Sequence, residues 1–250
     1  MTQQVDVHEH MKELEAWVAR DPGCGEAWGR LGLVYRLKSW HERAVEALEK
    51  AVRLDPGQAV FWHGLGYSLL ELRRPQEALP AARRAVELAP TRPEAWVLLG
   101  MATARVGDRR EGILHLLEAA RIAPSYPRPP AALGWVHVGL REPEAAASYF
   151  ERSLRLDPDQ RLLWSPLGGC LLELGRPEEA ARVLETAVEV DPGDGTAWAR
   201  LGAAWEQLGR REEAERALQR ARDLGYEPPW DWNSAADYGR SRLTAEEAVS

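Results

Sequence analysis

The side chains best suited to binding a metal ion are scattered along this sequence. His8 and His10 are two residues apart, so on a helix they would diverge rather than share a face. The other four histidines have no cysteine or carboxylate cluster around them at the spacing of metal ligands. They are His41, His63, His115 and His137. We therefore expect no metal site.

Two cysteines are the candidate nucleophiles, and neither stands beside a base in the sequence. Cys24 lies in Pro-Gly-Cys-Gly, which is typical of a turn, whereas Cys170 follows two glycines on a predicted helix and is typical of a small buried residue. The Pro-Gly-Asp-Gly segment at 192–195 lacks the lysine and the preceding strand of a phosphate-binding loop. We expect no catalytic residues, no cofactor and no enzymatic activity.

The overall charge and hydropathy exclude two further classes of partner. The formal net charge is −7, which gives no broad attraction for nucleic-acid phosphates or anionic lipids. No apolar run approaches the roughly 18 residues that a membrane span needs. Residues 1–10 are polar and have no apolar signal-peptide core. We expect a cytoplasmic protein that binds neither nucleic acid nor membranes.

A 34-residue repeat predicts the elements that position the remaining side chains. Five of the six units have a tryptophan at one position, and all six have a leucine and a glycine three and four residues after that position and a small residue twelve positions beyond the glycine. The tryptophans are Trp28, Trp62, Trp96, Trp164 and Trp198, with Pro130 in the fourth slot. The leucine–glycine pairs stand at 31–32, 65–66, 99–100, 133–134, 167–168 and 201–202. The first five units end in proline.

Each repeated feature has a physical cause. Residues at i, i+3 and i+4 share one face of a helix, so the tryptophan, leucine and glycine pack together. A glycine inside a helix costs about 1 kcal/mol relative to alanine, which indicates that a neighbouring backbone approaches closely there. Asp-Pro pairs end the second helix of several units, because the residue before proline is pushed out of the helical region. Each unit is therefore predicted to be a helix–turn–helix that buries its apolar face by stacking.

This pattern resembles the tetratricopeptide repeat family over residues 25–226, about four fifths of the chain. The resemblance implies an all-α, right-handed superhelical solenoid whose concave face is lined by the first helix of each repeat. The predicted repeats are 25–58, 59–92, 93–126, 127–160, 161–194 and 195–228. Residues 1–24 are predicted to form a capping helix, with Leu14, Trp17 and Val18 on its inner side. Residues 229–250 are expected to form a tail that is partly ordered or disordered. Within it, Trp230 and Trp232 are expected either to fold over the last repeat or to bind a partner.

The resemblance also implies a peptide-binding groove at positions 2, 5, 6, 9, 12 and 13 of the first helices, counting Gly25 as position 1. The groove residues expected in the central repeats are Val60, His63, Tyr67, Leu70, Val97, Leu98, Met101, Arg105, Arg128, Trp135, Val138, Leu162 and Leu172. Tyr67 and Trp135 are the expected anchors. The carboxylate clamp by which some family members hold chaperone C-termini needs asparagines, and the only one here is Asn233.

The first functional hypothesis is a non-catalytic scaffold that binds a partner peptide or helix with apolar side chains in this groove. A second is a structural protein whose repeats assemble into homo-oligomers. A third is a regulatory or assembly-factor subunit of a separate enzyme or of a secretion or pilus machine. The sequence does not identify the partner.

Overall fold

The computed structural model describes residues 7–226, and this part of the chain is helical with no β-strand. The tail with Trp230 and Trp232, and the side chain of His8, lie outside the described residues. The helices are α1 (Val7–Arg20), α2 (Gly25–Leu37), α3 (His41–Leu54), α4 (Ala59–Glu71), α5 (Pro75–Leu88), α6 (Pro93–Val106), α7 (Arg109–Ile122), α8 (Arg128–Leu140), α9 (Pro143–Leu156), α10 (Trp164–Glu173), α11 (Pro177–Val190), α12 (Gly195–Gln207) and α13 (Arg211–Asp223). A 3-10 turn, Arg161–Leu163, precedes α10. The prediction of an all-α chain of tandem helix pairs is confirmed.

The helices form two compact units, divided between Pro124 and Ser125. In the first unit α1 precedes the pairs α2–α3, α4–α5 and α6–α7. The second unit contains the pairs α8–α9, α10–α11 and α12–α13. We call the even-numbered helices from α2 to α12 the first helices and their partners the second helices. In the first unit α2 packs against α4 and α4 against α6, and in the second unit α10 packs against α12.

The repeated glycines lie where helices of one pair touch most closely. A Cβ on Gly32 would stand 2.6 Å from Cγ of Leu48, and a Cβ on Gly168 would stand 2.4 Å from Cγ of Leu184. At these sites a buried leucine side chain, rather than the predicted backbone, fills the space left by the glycine. At Gly100 the backbone does approach, because a Cβ there would stand 2.8 Å from the carbonyl oxygen of Gly112.

Every repeat tryptophan also makes the same hydrogen bond. The indole Nε1–H donates to the carbonyl oxygen of the proline six residues earlier, at distances from 2.8 to 3.3 Å. The pairs are Trp28–Pro22, Trp62–Pro56, Trp96–Pro90, Trp164–Pro158 and Trp198–Pro192. The spacing alone predicted a shared helical face, whereas the structure shows that this side chain also fixes the preceding turn. Pro130, in the fourth slot, has no donor with which to do so.

Aspartate side chains close the turns that precede four of the six first helices, α2, α4, α10 and α12. Oδ1 of Asp21, Asp55, Asp157 and Asp191 accepts a hydrogen bond from the backbone N–H two residues later. These aspartates are the residues of the Asp-Pro pairs that the sequence identified as helix ends. Repeats two and three end instead in Ala89-Pro90 and Ala123-Pro124, so the turns before α6 and α8 have no carboxylate at this place.

The helix α1 packs on the first pair of the first unit. Met11, Leu14 and Val18 are buried against Ala27 and Leu31. Trp17 is partly buried in the same cluster. The apolar stripe of α1 therefore covers a side of α2 that would otherwise be exposed to solvent.

Candidate interaction surface on the first helices

Of the thirteen predicted groove residues, four are buried in the cores of their units. They are Leu70, Val97, Leu98 and Leu172, each with 2 to 4% of its surface exposed. Leu98 shows why, since its Cδ2 would stand 2.9 Å from a Cβ on Gly66 and so packs into the glycine site of the preceding first helix. Leu70 and Leu172 both stand at position 12, whereas Val97 stands at position 5 and Leu98 at position 6. All four side chains are buried between helices.

The other nine predicted residues remain accessible and fall into two groups, one in each unit. The first surface consists of Val60, His63, Tyr67, Met101 and Arg105, on α4 and α6. The second surface consists of Arg128, Trp135, Val138 and Leu162, on α8 and the turn before α10.

Tyr67 is the aromatic residue of the first surface. Its ring contacts the guanidinium of Arg36, whose Cζ is 5.4 Å from the ring centroid, and the imidazole of His41, whose centroid is 6.5 Å away. A guanidinium over an aromatic face is an attractive cation–π contact. Arg105 donates from Nη1 to the carbonyl oxygen of Leu70, at 3.0 Å. Tyr67 is therefore held in one orientation while part of its ring stays accessible.

Sequence reasoning missed Arg36 as a member of this arrangement. It stands at position 12 of α2, outside the central repeats for which the groove was mapped. Its Nε and the Nδ1 of His41 are both buried and make no hydrogen bond within residues 7–226. The signal that would have indicated Arg36 is its position one repeat before Leu70, on the same side of α2 that faces α4.

Trp135 and Leu162 dominate the second surface. Trp135 is 44% exposed, and its ring packs edge-on against Phe150 with centroids 5.3 Å apart and an interplanar angle of 74°. Edge-to-face pairs of this kind are attractive beyond the area that they bury. Leu162 is 80% exposed. The second surface thus presents a fixed aromatic ring and a large aliphatic side chain to solvent.

A polar group lies farther along the first helices of the second unit. Arg200 on α12 is buried, and its Nη1 donates to Oγ of Ser165 on α10 at 3.0 Å. A Cβ on Gly169 would stand 3.1 Å from the guanidinium carbon, so a glycine there leaves the space that the arginine occupies. Sequence reasoning assigned no role to Arg200, and only the short residue at 169 indicated that a long side chain could lie across α10.

Burial, above all, keeps the nearby Cys170 thiol protonated. Burial raises the pKa of the Cys170 thiol to about 12, and the negative charge of Glu173 adds to this rise although Arg200 opposes it. Desolvation likewise raises the pKa of the Glu173 carboxyl, against the lowering effect of Arg200 and Arg141. Because the thiolate is the nucleophilic form, Cys170 stays an inert thiol at neutral pH. The sequence interpretation of Cys170 as a small buried residue is confirmed.

The described residues offer neither a cluster of metal ligands nor a membrane-spanning helix. Between residues 7 and 226, no three histidine, cysteine, aspartate or glutamate side chains come close enough together to hold a metal ion. Within the same range, each helix is too short or too polar to cross a membrane.

Comparison with known protein families identifies the repeat. Models described as tetratricopeptide repeat match residues 25–58, 59–104, 137–204 and 171–230. The chain is a tetratricopeptide repeat protein. The resemblance inferred from Trp28, Gly32 and their counterparts in the later repeats is therefore confirmed. Tetratricopeptide proteins are in general scaffolds for protein–protein interaction rather than catalysts. No curated protein sequence matches this tetratricopeptide protein.

Solved tetratricopeptide structures share its fold. A chain of the APC/C hetero-tetramer Cut9–Hcn1 superposes with a TM-score of 0.75 at 18% identity, over 95% of this protein and 46% of that chain. This protein thus spans about half the length of that relative. The pilF protein of Pseudomonas aeruginosa gives a TM-score of 0.69 at 22% identity, over 91% and 99% of the two chains. YrrB, a tetratricopeptide protein with an unusual peptide-binding site, gives 0.57 at 23% identity, over 81% and 99%.

Proposed function

We propose that this protein is a non-catalytic scaffold that holds a partner polypeptide against its first helices. The observation that carries the proposal is Trp135, which is large, 44% exposed and fixed in place by Phe150. An aromatic side chain that is already ordered loses little conformational entropy on binding, which is why tryptophan and tyrosine are frequent anchors at interfaces. Tyr67 has the same character in the first unit, because Arg36 and His41 hold its ring.

The chemistry of both surfaces favours a partner with apolar side chains. Tyr67, Met101 and Val60 form most of the first surface, and Trp135, Val138 and Leu162 most of the second. A partner that buried about 500 Å² of apolar surface would gain roughly 12 kcal/mol at ~25 cal/mol/Å². Association costs about 4–15 kcal/mol, so a micromolar and exchangeable complex is expected. YrrB offers a parallel, since it has an unusual peptide-binding site.

Mutation of the two anchors tests this proposal. Tyr67→Ala and Trp135→Ala, singly and together, should reduce capture of the native partner at least tenfold while helical content measured by circular dichroism stays unchanged. Leu156→Ala is the matched control, because Leu156 is also a partly exposed apolar residue, at 38%, but lies on a second helix. The experiment compares, by quantitative mass spectrometry, the proteins retained by each immobilised variant.

Three outcomes would separate the hypotheses. Loss of one protein from the anchor variants, with retention by Leu156→Ala, supports the scaffold. Equal retention by all variants contradicts it. Sedimentation of the purified chain tests self-assembly, since a homo-oligomer that survives both anchor substitutions would favour the structural hypothesis instead.

A further inference from the structure

The turns of the first unit carry an excess of positive charge, although the protein as a whole is acidic. We define the turn edge as residues 36–43, 70–77 and 104–111, where each first helix ends and its second helix begins. Eight of its side chains are cationic and five are anionic. The cationic ones are Arg36, Lys38, Arg43, Arg73, Arg74, Arg105, Arg109 and Arg110. The formal net charge of the whole chain is −7, so this edge is a local exception.

The same repeat positions of the second unit have the opposite charge. Residues 138–145, 172–179 and 206–213 contain four cationic and eight anionic side chains. Two of these arginines are also paired within the unit, Arg176 with Glu179 and Arg210 with Glu213. Cations do stabilise the carbonyl end of a helix, but three helix pairs of this protein form with an acidic edge. The repeat itself therefore does not require the positive charge of the first unit.

Contacts within the first unit bring the turn edge against the first surface. Arg36, in the last turn of α2, has its guanidinium carbon 5.4 Å from the ring centroid of Tyr67. Arg105, in the last turn of α6, donates from Nη1 to the carbonyl oxygen of Leu70 at 3.0 Å. Tyr67 and Leu70 are one helical turn apart on α4. The ends of α2 and α6 thus both contact the last turns of α4, beside the accessible ring of Tyr67.

Most of these cations are not neutralised by the unit itself. Arg74 is paired with Glu77 at 2.6 Å. Five others make no ion pair within residues 7–226, and they are Arg36, Lys38, Arg105, Arg109 and Arg110. All of these except Arg36 are exposed. A carboxylate accepts strong charge-assisted hydrogen bonds from guanidinium and ammonium groups, so an added carboxylate would gain such bonds without breaking an existing ion pair.

We propose that the turn edge binds acidic side chains of the polypeptide that lies against the first surface. The inference rests on the proposed function and adds what the partner must carry: apolar residues that contact Tyr67 and Met101, and carboxylates beside them. The anionic residues of the edge favour a polypeptide over a nucleic acid. Glu42, Glu71 and Asp108 stand between the cations in the sequence, and a strand with one phosphate about every 3.4 Å would meet them. Separate carboxylates on a peptide can avoid them.

The test uses the full chain and two synthetic peptides, acetyl-Leu-Leu-Glu-Glu amide and acetyl-Leu-Leu-Gln-Gln amide. Nuclear magnetic resonance should show that the glutamate peptide shifts the Tyr67 ring signals and the Nε–H signals of Arg36 and Arg105 saturably, with a Kd of about a millimolar. The glutamine peptide has the same shape without the charge, and should bind about fivefold more weakly or less tightly still. About 0.5 M sodium chloride should remove most of this difference by screening.

Charge reversal on the edge is the second arm. The triple variant Lys38→Glu, Arg109→Glu, Arg110→Glu should bind the glutamate peptide no better than the glutamine peptide. A matched control makes the same change of net charge at exposed positions of second helices outside the edge, and should keep the preference. It consists of Arg53→Glu, Arg83→Glu and Arg152→Glu. The salt experiment needs no substitution, so it keeps the test decisive where the edge variant fails to fold. Equal binding of both peptides by the parent chain would overturn the inference, as would a preference that survives salt or persists in the folded edge variant.

Other anionic ligands and the anchor experiment complete the test. Oligouridine, or vesicles that contain phosphatidylserine, should not saturate the Tyr67 shift at the concentration where the glutamate peptide does; saturation by either overturns the assignment to a polypeptide. Equal binding of the two peptides, with capture still dependent on Tyr67 and Trp135, rejects the turn edge alone. A preference for glutamate, with capture that ignores both anchors, supports the edge and rejects the proposed function of the surfaces instead.

Discussion

Gly100 provides a direct test of the packing that stacks the helices, because two opposing effects act on its replacement. Gly100→Ala in the middle of α6 should gain about 1 kcal/mol from helix propensity. The added Cβ would stand 2.7 Å from Cγ of Leu116 and 2.8 Å from the carbonyl oxygen of Gly112. Neither atom is the free end of a side chain, so overpacking should cost about 2–3 kcal/mol, the upper part of its usual range. We expect a net loss of about 1–2 kcal/mol of unfolding free energy, from the difference of these two effects.

The matched control is Gly64→Ala, on α4 of the same unit. Its Cβ would meet Cδ2 of Leu33 at 2.8 Å, which is the end of a partly buried side chain that can turn aside. The propensity gain should then offset most of the clash, and stability should change by less than about 0.5 kcal/mol. Urea unfolding followed by circular dichroism measures both variants, with the midpoint as the primary observable, because repeat proteins can unfold in parts. Stability of Gly100→Ala equal to the parent, or a larger loss for Gly64→Ala, would refute the reasoning.

Further predictions concern one hydrogen bond and one thiol. Trp62→Phe removes the donor to the Pro56 carbonyl, at 2.9 Å, and should lower the urea midpoint by the equivalent of about 1 kcal/mol; an unchanged midpoint would show that the bond contributes nothing. Cys170 should resist Ellman's reagent at pH 8 in the folded chain while the partly exposed Cys24 reacts; two equally fast thiols would contradict this. Because the folded chain keeps the Cys170 proton until pH is about 12 and the unfolded chain releases it near 9, stability should fall as pH rises through that interval, and Cys170→Ala should lessen the fall.

The architecture could be predicted from the sequence because its cause is periodic. The stride from Trp28 to Trp62 and Trp96, and the glycine four residues after each, record a contact that recurs at every helix pair. A recurrent contact gives a recurrent residue type, so one sequence contains several copies of the same signal. Pro130 was visible as the departure in this pattern, and the division between the two units falls shortly before it, at Pro124 and Ser125.

The candidate site was predicted less well, for reasons of geometry. Leu70 and Leu98 were assigned to the groove by their position number in the repeat. Neighbouring positions on one helix can be either accessible or packed against the next helix, and these two leucines are buried. Arg200 was missed because its hydrogen-bond partner, Ser165, lies on another helix and is 35 residues earlier in the sequence. Such features belong to one repeat, and periodicity cannot predict them.

The measurement that tests the account most directly is hydrogen–deuterium exchange of the full chain with and without the partner recovered by capture. If the first helices hold the partner, the exchange of backbone amides should slow in α4 and α6, around Tyr67, and in α8, around Trp135. The second helices α5 and α9 should change little. Protection confined to the second helices, or the same protection with the Tyr67→Ala, Trp135→Ala chain, would contradict the proposed scaffold.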